Sequence, residues 1–172
     1  ECDQLTSITI PDSVEFIGEN AFYLCLNLSS VIMGNNVTSI GIGAFEMSPS
    51  LAEIIIPDSV STIGDYAFWR CSGLTNVVIG DGVTQIGKSA FNNSSSLANV
   101  IIGHSVTNIG SSAFALCPSL TNIIVPDSVM SIGSSAFYSC TSLSNVVVGN
   151  NVTTIGASTF DHCSSLTSIS LL

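Results

Sequence analysis

The stretch Ile63-Gly64-Asp65-Tyr66-Ala67-Phe68-Trp69-Arg70-Cys71 decides the fold, because its skeleton, Ile-Gly-x-x-Ala-Phe, recurs along the whole chain. The phrase returns at Ile17, Ile40, Ile86, Ile109 and Ile132, and once more at Ile155, where Thr159 replaces the alanine before Phe160. Each recurrence lies 23 residues after the last, without insertion. A fixed period of that length marks a stacked solenoid, in which each unit buries its apolar face only against its neighbours. With Leu5 as position 1, seven full repeats begin at Leu5, Leu28, Leu51, Leu74, Leu97, Leu120 and Leu143, and a partial one begins at Leu166. Residues 1–172 therefore read as a single array. The array is expected to be a segment of a longer one, since neither end reads as a cap over the last apolar layer.

Within the unit, Leu-x-x-Ile-x-Ile alternates apolar residues and is rich in β-branching, which predicts a short strand with positions 4 and 6 facing inward. Identical direction in every unit makes these strands one parallel sheet. Position 7 is Pro11, Pro57 or Pro126, or else Gly34, Gly80, Gly103 or Gly149, and the strand ends there in a turn. Position 10 is always Val and position 13 always Ile, an extended pair suited to a second short strand on another wall. Glycine at position 14 is expected to permit a sharp bend. The following x-x-Ala-Phe-x-x-Cys is predicted as one helical or 3₁₀ turn with Ala and Phe inward. Phe22, Phe45, Phe68, Phe91, Phe114, Phe137 and Phe160 should then form a continuous spine.

The unit Leu74-Thr-Asn-Val-Val-Ile-Gly-Asp-Gly-Val-Thr-Gln-Ile-Gly-Lys-Ser-Ala-Phe91 resembles the leucine-rich repeat of BspA-like surface proteins. Pro or Gly after the strand, Ile-Gly, Ala-Phe and Cys all stand at that family's offsets, over the whole chain. The resemblance implies a mostly β, α/β solenoid: a right-handed horseshoe with its main parallel sheet on the concave side, short strands and helical turns on the other wall. It also implies a secreted or cell-surface protein of a bacterium or protist, tied to adhesion or host contact. The motif is structural, so no functional residue carries over from it.

Composition narrows the function. Net charge is −10, and Arg70 and Lys88 are the only permanent cations. Nucleic acid needs Lys and Arg to neutralise phosphates, so it is excluded as a partner, and an anionic membrane surface is disfavoured for the same reason. No apolar run approaches the roughly 18 to 20 residues of a membrane span. No triad, metal cluster or phosphate loop is legible, so no catalytic residue, metal or cofactor is expected.

Cys2, Cys25, Cys71, Cys117, Cys140 and Cys163 all fall at position 21, with Ser48 and Ser94 in the gaps. A slot that accepts serine argues for small buried thiols over a disulfide framework, with one bond such as Cys117–Cys140 as the alternative. His104 and His162 lie in different columns and are expected in solvent. Asp12, Asp58, Asp81 and Asp127 recur at one turn position, which Asx-type turns explain better than repeat-bound calcium. Of five Asn-x-Ser/Thr sequons, Asn36 and Asn151 lie in the exposed turn and are the best glycan acceptors.

The remaining information lies on the outward strand positions. Position 3 carries Asn76, Asn99, Asn122 and Asn145 in succession, able to hydrogen-bond along the stack or to a ligand. Position 5 carries Ile32, Ile55, Val78, Ile101, Ile124 and Val147, six apolar residues expected to point off the sheet. High β-propensity is the plain account of that row, and an interaction stripe the functional one. The sequence thus points to a protein-binding or adhesion module whose partner is a host or matrix protein or another copy. The alternative is a structural subunit whose repeats stack end to end into a filament or stalk.

Overall fold

The structure, a computed structural model, describes residues 2–171. Each 23-residue unit forms one coil carrying two short strands. The outward-facing Leu-x-x-Ile-x-Ile segments give β1 (Ser7–Thr9), β3 (Ser30–Ile32), β5 (Glu53–Ile56), β7 (Asn76–Ile79), β9 (Asn99–Ile101), β11 (Asn122–Val125), β13 (Asn145–Val148) and β15 (Ser168–Leu171). The Val-x-x-Ile segments give β2 (Phe16–Ile17), β4 (Ser39–Ile40), β6 (Thr62–Ile63), β8 (Gln85–Ile86), β10 (Asn108–Ile109), β12 (Ser131–Ile132) and β14 (Thr154–Ile155). All pairings are parallel and keep the 23-residue register, as in Ile54 opposite Val77 and Ile63 opposite Ile86. The fold is a β-solenoid. Among the described residues there is no helix.

The expected helical turn is instead a run of tight turns with two left-handed residues per coil. Positions 16 and 20 have φ of 54–60° throughout, including bulky Leu24, Met47, Tyr66, Arg70 and Leu116. A left-handed residue costs roughly 1–2 kcal/mol. Here it turns the amide away from its own chain and toward the next coil. Tyr66 and Arg70 donate to the carbonyls of Lys88 and Asn92, and Phe68 between them donates to Ala90. A helix would spend those same amides on carbonyls four residues back. Stacking outcompetes helix formation because each coil offers its neighbour a full row of acceptors.

Leu, Val, Ile, Ala and Phe columns fill the interior. Phe45, Phe68, Phe91, Phe114 and Phe137 are fully buried. Neighbouring rings lie 5.0–5.6 Å apart and within 11° of parallel, the continuous spine the repeat predicts. The position 14 glycines serve close approach and not an unusual bend. Gly64 and Gly87 lack a positive φ, yet a Cβ on Gly64 would sit 2.7 Å from the Gly41 carbonyl carbon of the coil before.

Position 21 is a donor slot. The thiols of Cys71, Cys117, Cys140 and Cys163 donate to the carbonyls of Phe45, Phe91, Phe114 and Phe137, at 3.1–3.4 Å. The hydroxyls of Ser48 and Ser94 do the same toward Phe22 and Phe68. Serine substitutes freely because either side chain offers one short donor. The cysteines are free thiols. Burial pushes the Cys71 and Cys140 thiols up to about 12.

The expectation of one continuous sheet on the strand wall is corrected. β1 pairs with β3, then β5-β7-β9 and β11-β13-β15 form separate three-stranded sheets, while the opposite wall runs unbroken through seven strands. The two breaks, β3/β5 and β9/β11, lie where the following coil carries proline at position 7, Pro57 and Pro126. The β1/β3, β5/β7, β7/β9 and β11/β13 interfaces carry Gly34, Gly80, Gly103 and Gly149 there. Gly80 donates its amide to the Ile56 carbonyl at 2.9 Å. Proline has no such donor, but among the described residues Gly34, Gly103 and Gly149 join their coils without that bond. Space is what the four glycines share: a Cβ on Gly80 would lie 2.6 Å from that carbonyl oxygen, and one on Gly34 2.7 Å from the Pro11 carbonyl. A pyrrolidine ring at this point holds the coils apart.

Candidate interaction surface

The aspartate column explains a second feature of the breaks. Oδ1 of Asp12, Asp58, Asp81 and Asp127 accepts the amide of Asn35, Asp81, His104 and Asn150 in the next coil, at 2.6–2.7 Å. These carboxylates clip coil to coil, where an Asx turn within one coil was expected. The residues facing the two breaks in this column are Asn35 and His104. Among the described residues neither clips the amide of Asp58 or Asp127. The Asp81 carboxyl is held below its usual range, first by the His104 amide and then by the His104 ring, whose Nδ1 lies 3.0 Å away.

Each break opens a cleft on the strand wall. The first, about 500 Å³, is lined by residues including Val31, Ile32, Met33, Glu53, Ile55 and Pro57. The second, about 520 Å³, includes Asn99, Val100, Ile101, His104, Asn122 and Ile124. At position 4, Ile54, Val77, Ile123 and Val146 are sealed in the core, while Val31 and Val100 are only partly covered. The clefts therefore reach inward-facing side chains. Across the second, the Ser128 hydroxyl is buried without a partner, whereas its counterpart Ser59 donates to the Val37 carbonyl at 2.8 Å across the first.

The expected surface residues stand around these openings. Ile32, Ile55, Ile101 and Ile124 are 58–62% exposed, and Val78 and Val147 are half covered in the centres of their sheets. In the asparagine column, Asn99 donates to the Asn76 side chain at 2.8 Å, and Asn76 and Asn122 turn to the hydroxyls of Thr75 and Thr121. Among the described residues the ladder is thus the single Asn99–Asn76 bond, continued neither across the second cleft nor between Asn122 and Asn145 within one sheet. Asn36 and Asn151 are exposed, and their amides donate to the Asp12 and Asp127 carbonyls. Each retains a second N–H, so this contact is compatible with a glycan.

Sequence reasoning missed the clefts and the uncovered Val31 and Val100. Their signal was present, since proline at position 7 and a missing aspartate before it coincide at both breaks and at no joined interface. The histidines do not come together with a thiol. His162 stacks edge-on against Tyr138 with centroids 5.2 Å apart, while Cys163 is buried and donates to Phe137. Among the described residues, no three His, Cys, Asp or Glu side chains gather as a metal site.

The model of the BspA type leucine rich repeat region matches residues 1–118 and 62–172, with six copies. The chain belongs to this BspA type leucine-rich-repeat family. No curated protein sequence matches it. Among solved structures, this BspA type array is similar to a leucine-rich-repeat protein of T. pallidum, with 29% identity and TM-score 0.87 over 95% of this chain and 79% of that one. It is similar to one from Bacteroides ovatus, with 30% identity and TM-score 0.73 over 98% of this chain and 49% of that one. A leucine rich cell surface protein of Faecalibacterium prausnitzii shares the fold at TM-score 0.69 and 24% identity, over 99% of this chain and 60% of that one. The array thus spans less than two thirds of the last two chains.

Proposed function

We propose that this BspA type array is a non-enzymatic protein-binding module of a secreted or cell-surface protein, and that it binds a host, matrix or like partner through the strand wall. The exposed row of Ile32, Ile55, Ile101 and Ile124 carries this reading. Contiguous exposed apolar surface beside hydrogen-bonding amides, here Asn76, Asn99, Asn122 and Asn145, has the composition of an interface core with a polar rim. The surface location is supported by the family and by the name of the F. prausnitzii relative. The non-enzymatic reading is supported by chemistry: the thiols of Cys71, Cys117 and Cys140 are buried with their ionisation suppressed, and the histidines stand apart.

The test displays the chain on beads and measures capture of matrix proteins and cultured host cells. Ile101→Asp should reduce capture at least about tenfold, because a charge in an interface core is desolvated without a partner. Ile42→Asp, on the turn wall, should leave capture unchanged with the same circular dichroism. Equal loss in both variants, or none in Ile101→Asp, would refute binding through the strand wall. Long fibres of constant width from the unmodified chain would favour end-to-end stacking instead.

A further inference from the structure

The two clefts extend that reading, and rest on it, by naming the chemistry of the partner. We infer that each cleft is a slot for one side chain, and that the pair reads an extended cationic segment carrying two large apolar residues four positions apart. The slots present an apolar floor, Val31 in one and Val100 in the other, between flanking isoleucines. In the sealed coils the same column is closed off from water, so filling a slot completes the burial that the break leaves undone.

Spacing selects the geometry. The slots are three coils apart, and the coils stack at 5.1–5.2 Å along the phenylalanine column, which stays closed, so the slots on the opened wall are at least about 15 Å apart. An extended chain rises about 3.3 Å per residue, and residues i and i+4 face the same way about 13 Å apart. The next same-face pair, i and i+6, overshoots at about 20 Å.

Charge selects the composition. Asp12, Asp58, Asp81 and Asp127 border the strand wall, and Glu53 stands on it beside the first slot. The two cations belong to the turn wall, where Arg70 lies 4.2 Å over Trp69 and Lys88 5.7 Å over Tyr66. Among the described residues the wall therefore presents carboxylates with no lysine or arginine beside them, and its one histidine, His104, faces Asp81 at the second slot. Backbone groups add a further hold. At four of the joined interfaces the position 2 amide donates to the preceding coil, as Thr75 does to Ala52 at 2.8 Å. Among the described residues that bond is not formed from Ala52 to Ser29 or from Thr121 to Ala98 at the breaks, nor from Thr167 to Ser144 at the last coil, and at the breaks the groups are open to a partner's backbone.

The test titrates the unmodified, methyl-labelled chain with a Lys/Thr peptide bearing two leucines four residues apart. Control peptides space the leucines three apart or replace lysine by glutamate. The methyls of Val31 and Val100 should shift while the sealed Ile54 and Val77 do not, and affinity should exceed both controls about tenfold. Shifts confined to Ile55, Val78 and Ile101 would overturn the slots and leave the wall as a binding face. Equal binding of the glutamate peptide would overturn the charge assignment. A wall that captures matrix proteins or cells yet ignores every peptide would overturn the slots alone. A folded Pro57→Gly/Pro126→Gly variant, with the rings removed so that the coils close, should bind the leucine peptide about tenfold more weakly; undiminished affinity would also refute the slots.

Discussion

The same coils build two walls, and only one is continuous. The wall made from two-residue strands runs unbroken through seven coils, while the wall with the longer, more β-branched strands breaks twice. Strand length and β-propensity therefore do not decide continuity here. What decides it is whether the residue at each point of closest approach lets the next backbone in. Glycine at position 14 does so in every coil of the continuous wall. On the strand wall position 7 alternates between glycine and proline, and the sheet opens at Pro57 and Pro126. At those interfaces the opposite wall stays paired, with Ile40 opposite Ile63 and Ile109 opposite Ile132. The coils are wedged apart on one side only.

The largest expected effect comes from attacking what holds the continuous side. Phe91→Ala removes a fully buried ring from the middle of the stack and should cost about 3–5 kcal/mol, measured by chemical denaturation. A cost under about 1 kcal/mol would mean that the spine is filled but not stabilising. Next, Gly103→Pro should install a third break, between β7 and β9, at a cost of about 1–3 kcal/mol for the backbone shift the ring forces. Hydrogen exchange should then accelerate at the β9 amides and leave β10 protected. Uniform acceleration on both walls would show that the walls do not open independently.

A smaller effect should appear with pH. The Cys71 and Cys140 thiols are raised from 9.0 to about 12, by burial first. Raised in the fold, these acids ionise first in the unfolded chain. Stability from them is intact below about pH 9 and falls as pH climbs from there toward 12. By pH 10 the loss should be about 1 kcal/mol per thiol, read as a falling melting temperature. At neutral pH, exposed Cys2 should react with a thiol reagent well before the buried five. Rapid reaction of all six would contradict the sealed position 21 column.

Much of this was readable without coordinates. The register, the inward Phe and Ala, the exposed Ile row and the free thiols follow from a strict period read against residue size and polarity. The turn segment was misread as helical because Ala-Phe-x-x-Cys spacing also suits a helix. The competing acceptors belong to the next coil, which local propensity does not represent. The aspartates were assigned to turns within one coil for the same reason: their partners are 23 residues away.

By itself the sequence determined the period, the columns and which face each column takes, since these depend only on repetition and on burying apolar groups. Tertiary structure decided which coils touch. That depends on backbone contacts at ångström range, where a proline ring at Pro57 and Pro126 separates neighbours that glycine would join. The clefts and the uncovered Val31 and Val100 follow from that one local exclusion.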